Sequence, residues 1–519
     1  MANTGEESPS RVKSPNFPSP RPGDRVVRSR RRRRLRGLRR VLGVPALYSI
    51  GYGNVGSSIY YALGITAVYA LGATPIALMG AGIFFVFTAT TYAEGAALFP
   101  EAGGSSSFAR HGFNEFWSFI AGWSLMLDYM VTMAISAVTV PFYLAYFFPV
   151  LKESNVANTL VGMGLMVFLM VLNIVGVRET SGFNIFWVVL DLVTQTLLVV
   201  LGVIFLLNVP KLLSYVQWGG SENWPTLRSF IYGISISMIA YTGLESVCQM
   251  AEEAREPERM VPRSLMWTVV TVLGMYALIS VIALSAMTPV QLSKEWSSDP
   301  VAGIAHFLPD LRVMGFDIPL SRIMAPWVAV LAASILLIAS NAGLLGISRL
   351  AFSLGQHQQL PALLVKIHPR FRTPYIAIII FSGAAILLLM PGLYAPGILL
   401  KLGDLYSFGA MLAFTLAHAS IIALRVKAPD LPRPFKPWGN IGWRGRRIPV
   451  TAVLGMLGTF SVWLIVIVTH PWGRTVGFIW LAIGIATYVF YRRRQGLSLT
   501  RTVKASGPIL VEEASGRSR

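Results

Sequence analysis

A single cysteine, Cys248, stands among 519 residues, and the six histidines are scattered. One cysteine excludes an intrachain disulfide framework. His111, His306, His357, His368, His418 and His470 fall at no metal-ligand spacing, and no nucleophile elbow is present. The sequence therefore indicates no metal, no cofactor and no enzyme. Charge is also scarce. Asp, Glu, Lys and Arg make up 13% of the chain, about half of the roughly 25% usual in soluble proteins. That shortage excludes an ordinary soluble domain.

What fills the chain is apolar sequence, 54% of it. Twelve stretches reach the roughly 17–25 residues needed to cross a bilayer. They lie near 46–71, 75–99, 114–148, 157–177, 183–207, 227–251, 264–287, 322–354, 374–390, 403–424, 449–469 and 474–491. None carries a Lys or Arg deep inside. The expectation is an all-α polytopic membrane protein of about 12 transmembrane helices. The first apolar run is too long for a signal h-region and lacks a small-residue cleavage site.

The net charge is +20, and residues 21–40 hold eleven arginines, with Arg30–Arg34 consecutive. Distribution argues against nucleic acid as partner. Between the termini, loops and helix ends on the side shared by both termini carry 16 Lys and Arg, against 8 on the other. Positive-inside reasoning then places both termini in the cytoplasm of a cell (inner) membrane protein. The arginine run precedes the first helix, where anionic lipids attract polybasic segments. Residues 1–44 read as a disordered basic N-terminus and 45–425 as a transport core of ten helices. Residues 426–494 read as helices 11 and 12 behind a Pro-rich basic connector, and 495–519 as a disordered tail.

Two spans are interrupted. Gly53-Asn54-Val55-Gly56-Ser57-Ser58 sits inside the first, and Ala240-Tyr241-Thr242-Gly243-Leu244-Glu245-Ser246 inside the sixth. Glycine-rich breaks at membrane depth strand backbone groups, which are tolerated only in protein or beside an aqueous cavity. Breaks in corresponding helices of two halves point to a carrier's binding site. Helices 1 and 6 are five apart, so they run in opposite directions. The third helix of each set, 114–148 and 322–354, is unusually long. This matches a five-plus-five inverted repeat of the leucine-transporter kind.

The first break predicts free N–H groups at Gly56, Ser57 and Ser58, at a half-helix N-terminus suited to a carboxylate. Carbonyls near Tyr52–Asn54 suit an ammonium. At the second break, Tyr241 either stacks over a substrate or packs between helices, and Glu245 reads as a structural or inner-gate acid. Intramembrane acids carry a functional expectation. Asp191, in the fifth span, is the candidate for proton coupling. Asp128, in the third, is a coupling, gate or structural acid, and Glu94 is structural. Ser340 and Asn341 would face the first break, holding a sodium ion or the unwound backbone.

These residues resemble the amino acid–polyamine–organocation (APC) superfamily over about 45–425. The similar segments are Gly53 to Tyr60, Tyr92-Ala93-Glu94, and Pro100-Glu101-Ala102-Gly103-Gly104-Ser105. They continue with Gly122-Trp123 through Asp128-Tyr129, Ala251-Glu252-Glu253 with Pro257 and Pro262, Ser348-Arg349 and Leu360-Pro361. The resemblance implies alternating-access transport of amino acids or related amines. The helix-1 turn would hold the substrate carboxylate, and carbonyls around Ala240–Gly243 its amine. In some proton-coupled relatives a helix-5 lysine replaces a sodium ion. The register of Glu179-Thr180-Ser181 and Phe183-Asn184 puts Asp191 in its place, where an aspartate would bind a cation or carry a proton. Ser58 stands where the family usually has glycine, which leaves an inorganic cation or polyamine open as cargo. A membrane-embedded sensor or enzyme is the reading from another class.

Overall fold

The computed structural model describes residues 40–176, 181–217, 219–313, 316–443 and 446–501. The basic segment expected at anionic lipid, the tail beyond 501 and the Glu179-Thr180 register pair lie outside the described residues. Within them, eleven apolar helical stretches are long enough to cross a membrane. The first, Val44–Leu98, has 55 residues, about 80 Å of helix at 1.5 Å per residue and twice what a crossing needs. It reverses at Leu71, where φ is 45° and ψ is −127°. Eleven stretches therefore make twelve passes of an all-α polytopic membrane protein.

Glu115–Leu144, the third span, is buried almost throughout, packed mainly between the eighth and tenth spans, Leu320–Gln356 and Ile398–Lys427. Asn114 starts it by accepting from the N–H groups of Phe116 and Trp117. Peripheral spans turn apolar side chains outward, among them Phe168, Val171, Leu454, Ile479 and Ile483. Lipid tails are as apolar as these residues, so such exposure carries no hydrophobic penalty in a bilayer.

Two short antiparallel hairpins were not anticipated. Asp310–Val313 pairs with Phe316–Pro319 ahead of the eighth span, and Asn440–Trp443 pairs with Arg446–Pro449 ahead of the eleventh. Strands of four residues fall below the window in which periodicity is readable.

The two interruptions differ from the expectation and from each other. In the first span, Val44–Val55 continues through a 3-10 turn, Gly56–Ser58, into Ile59–Ala70. Gly56 keeps helical angles, φ −64° and ψ −32°, and its N–H bonds Tyr52 O. Ile59 N–H bonds the carbonyls of Gly56 and Ser57. The gap with free donors expected here is thus replaced by one tightened helical turn. The ring of Tyr52 lies over Gly56, where a Cβ would fall 2.6 Å from Cζ. The glycine makes room for an aromatic ring rather than for an unwound backbone.

The sixth span is truly broken. Leu227–Ser237 tightens into Met238–Tyr241, Thr242 is extended, Gly243 takes φ 107°, and helix resumes at Glu245–Gln249. A Cβ on Gly243 would meet Asn54 Cγ at 2.8 Å. Only glycine satisfies both that angle and that contact.

On the face that carries the described ends of the chain, Glu94 of the second span receives Arg425 through two bonds, Nε at 2.7 Å and Nη2 at 2.9 Å. Arg433 Nε lies 3.3 Å from the same carboxylate, and its guanidinium also caps the tenth span by donating to Leu424 O and Ala428 O. The structural role expected of Glu94 is this junction.

Arg425→Leu is expected to cost about 3–5 kcal/mol, because it leaves a buried carboxylate short of its partner. Glu94→Gln combined with Arg425→Met should recover much of that loss, as thermal unfolding in detergent would show. Gly243→Ala is expected to melt well below the parent, since the backbone strain alone costs about 1–3 kcal/mol. Gly53→Ala is the contrasting case. Its Cβ would meet only Val188 Cγ2, at 3.4 Å, so the same melting assay should find it close to the parent.

Candidate functional site

The fifth span, Ser181–Phe205, brings Asp191 to the first-span turn. Its carboxylate is fully buried and accepts three hydrogen bonds. Tyr60 Oη donates to Oδ1 at 2.6 Å, and Tyr52 Oη and Gln195 Nε2 donate to Oδ2 at 3.1 and 2.7 Å. Tyr52 and Tyr60 stand on either side of Gly56–Ser58, so one carboxylate fastens both halves of the span. The sequence reading missed all three donors, although the signal was present. Positions 52, 56 and 60 share one helix face, as do 191 and 195.

Around the turn the remaining polar groups are matched, except for one amide oxygen. Tyr276 Oη donates to Val55 O at 2.5 Å, and Ser57 Oγ to Asn54 O at 3.0 Å. Ser58 Oγ pairs with Tyr61 Oη at 2.8 Å. Asn54 Nδ2 donates to Gly243 O at 3.3 Å, joining the two interruptions. Asn54 Oδ1 is buried without a hydrogen-bond partner among the described residues. It is an acceptor lying beside the sixth-span break. Gly53, Asn54, Val55, Gly56, Ser57 and Ser58 are therefore brought together with Ala240, Tyr241, Thr242 and Gly243, all of them buried.

Tyr241 does not point into an open site. Its hydroxyl donates to Leu78 O at 2.8 Å, and its ring packs between Phe85 and Tyr276. Thr242 Oγ1 returns to Ile239 O at 3.1 Å. Ser340 and Asn341 each find a partner on a neighbouring span. Ser340 Oγ donates to Met133 O at 3.2 Å, and Asn341 Oδ1 accepts from Asn173 Nδ2 at 2.6 Å. These bonds run to the third and fourth spans. Ser340 shares its stripe with Gly343, which packs on Met133, and helical spacing commits that stripe to the third span.

Asp128 and Glu245 meet in the interior. They face one another across the third and sixth spans, and Glu245 Oε2 accepts from Gly243 N–H at 3.1 Å.

On the terminal face, hydrogen bonds tie the segment that follows the sixth span to its neighbours. Val41 and Leu42 N–H groups donate to Glu253 O at 2.9 and 3.0 Å, and Arg349 Nη1 reaches Glu253 Oε1 at 2.6 Å. Glu252 Oε1 accepts from Ala102 N–H at 2.9 Å, and Ser353 Oγ donates to Ala102 O at 2.9 Å. Nearby, burial acts to raise the Glu101 carboxyl, yet donors on His111 and Ser107, with the Arg110 charge, hold it down at about 2. The opposite face is hollow. A cavity of about 310 Å³ is lined by Phe142, Tyr143, Lys152, Trp296, Asp299 and His306. At its wall Lys152 Nζ bonds both oxygens of Asp299 at 2.9 Å. Tyr143 Oη donates to Tyr60 O at 2.7 Å, so two tyrosines separate this hollow from Asp191.

The amino acid permease family model matches residues 42–491. The branched-chain amino acid permease BcaP of Bacillus subtilis is 27% identical over 495 residues, covering 88% of this chain and 94% of that protein. The methylthioribose transporter of Bacillus subtilis is 26% identical, over 89% and 95%. The low-affinity putrescine importer PlaP of Escherichia coli K12 is 24% identical, over 78% and 82%. With a match that runs from the start of the first span into the twelfth, this chain belongs to the amino acid permease family and is a membrane transporter of the APC superfamily.

Proposed function

We propose that the chain is a proton-coupled secondary transporter of an amino acid or related amine, working by alternating access with its terminal face in the cytoplasm. The observation that carries the proposal is the Asp191 carboxylate held by Tyr52 and Tyr60 from both sides of the Gly56–Ser58 turn. A proton delivered to Asp191 weakens its hold on both tyrosines, because hydrogen bonds to an ionised acceptor are roughly twice as strong as neutral ones. Released from Asp191, the Tyr52 ring can leave Gly56, and the turn becomes accessible to a substrate carboxylate. The proton and the substrate thereby act on one element.

Three further points support the reading. Asn54 Oδ1 supplies an acceptor for an ammonium beside Gly243. Hydrogen bonds tie the terminal face together while the other face holds a hollow, and Tyr143 and Tyr60 would serve as the outer barrier. The similar permeases are named for branched-chain amino acids, putrescine and methylthioribose, all small polar or zwitterionic cargo. In this arrangement the first five helices and the next five form the inverted repeat, with the last two outside it.

Purified protein in liposomes tests the proposal with labelled amino acids and diamines under proton, sodium and no gradients. Proton-stimulated, saturable uptake of one class is expected. Asp191→Asn should abolish the response to the proton gradient while substrate exchange persists; a wild-type response would remove Asp191 from the mechanism. Tyr60→Phe removes one bond to a carboxylate, worth about 1.5–3 kcal/mol. It should lower proton-driven uptake about tenfold or more without lowering the amount of folded protein.

A further inference from the structure

Asp128 and Glu245 have no part in the mechanism above. Both side chains are fully buried. They lie within hydrogen-bonding reach of each other, and the interaction is mutual. Only one of their four oxygens has a donor: Glu245 Oε2 accepts from Gly243 N–H. Glu245 Oε1 and both Asp128 oxygens have none among the described residues.

The groups that face the pair are all uncharged acids. They are Tyr61 from the first span, Tyr92 from the second, Tyr129 from the third, Tyr406 from the tenth and Cys248 from the sixth. Among the described residues no lysine, arginine or histidine acts on either carboxyl. The hydroxyls of Tyr92 and Tyr129 are themselves fully buried and without a hydrogen-bond partner among the described residues. Two buried negative charges in contact, with no cation, are not a tenable arrangement. One proton removes the repulsion and turns an orphaned acceptor into a donor.

We propose that Asp128 and Glu245 form a proton-binding pair, a carboxyl and a carboxylate sharing one proton, which holds the sixth-span break in the form seen here. The link to the break is direct. Glu245 Oε2 accepts the N–H of Gly243, the residue at φ 107° whose carbonyl also receives Asn54. Losing the shared proton sets Asp128 against Glu245, and the strain falls on the Gly243 hinge. The chain then binds a second proton at a place distinct from Asp191, one that acts on the sixth span as Asp191 acts on the first.

Infrared difference spectra of the full-length protein in lipid, recorded across pH in water and in heavy water, test this without any transport step. The outcome is therefore separable from that of the transport proposal. The wild type should show the carbonyl stretch of a protonated carboxylic acid, shifted by deuterium. That band should be lost in Asp128→Asn and equally in Glu245→Gln, and kept in Asp191→Asn. Asp128→Glu, which preserves the pair, should retain it at a displaced frequency and guards against misreading a misfolded variant. A band that survives both single substitutions, or is absent from the wild type at every pH, would overturn the proposal. So would its disappearance when sodium replaces choline, which would make the pair a metal-cation site.

Discussion

A carboxylate buried in the middle of a membrane protein must find donors, and where it finds them determines what else can move. Asp191 takes two of its three from the first span, one from each side of Gly56–Ser58. Meeting that requirement draws Tyr52 and Tyr60 inward, lays the Tyr52 ring on Gly56, and keeps the turn helical. Tyr60 is in turn held through its carbonyl by Tyr143, at the wall of the outer hollow. One charge thus orders a path from the centre of the chain to its open face. Remove the charge and the two tyrosine hydroxyls lose the one acceptor they share across the turn.

The two interruptions show what glycine does and does not dictate. Gly56 and Gly243 occupy equivalent-looking runs, yet one is helical and the other sits at φ 107°. Glycine removes a steric barrier; the partners decide whether the backbone uses the freedom. At Gly56 the freed space is taken by an aromatic ring, and the N–H groups stay in the helix. At Gly243 the space is taken by Asn54 from the other interrupted span, and Glu245 supplies the acceptor for the displaced N–H. Local sequence therefore marks where a helix is able to open, while contacts distant in sequence select whether it does.

This explains how much of the molecule was legible beforehand. Span positions follow from length and hydropathy, which are local and large in energy, and the twelve passes fall close to their expected places. The gathering of residues 53–58 with 240–243 follows from the same local signals. What escaped was the identity of partners. Gln195 and the tyrosines at 52, 60, 143 and 276 read as ordinary apolar-helix residues until the spans are packed. Ser340 and Asn341 looked like ligands because hydroxyls and amides are rare at that depth. Ser340 turns to the third span, where Gly343 lets Met133 approach, and Asn341 meets Asn173 of the fourth; that choice depends on helix rotation rather than composition.

The contrast between Asp191 and Asp128 follows the same logic to its end. Both are fully buried aspartates on membrane spans, and nothing in their flanking sequence separates them. Asp191 faces two hydroxyls and an amide, all able to donate, so its ionised form is well solvated by protein. Asp128 faces a second carboxyl and has no donor among the described residues, which is the basis for assigning the pair a shared proton. Burial is therefore not what gives an intramembrane acid its role. The neighbours that packing brings to it do so, by deciding whether its proton is held or only visited.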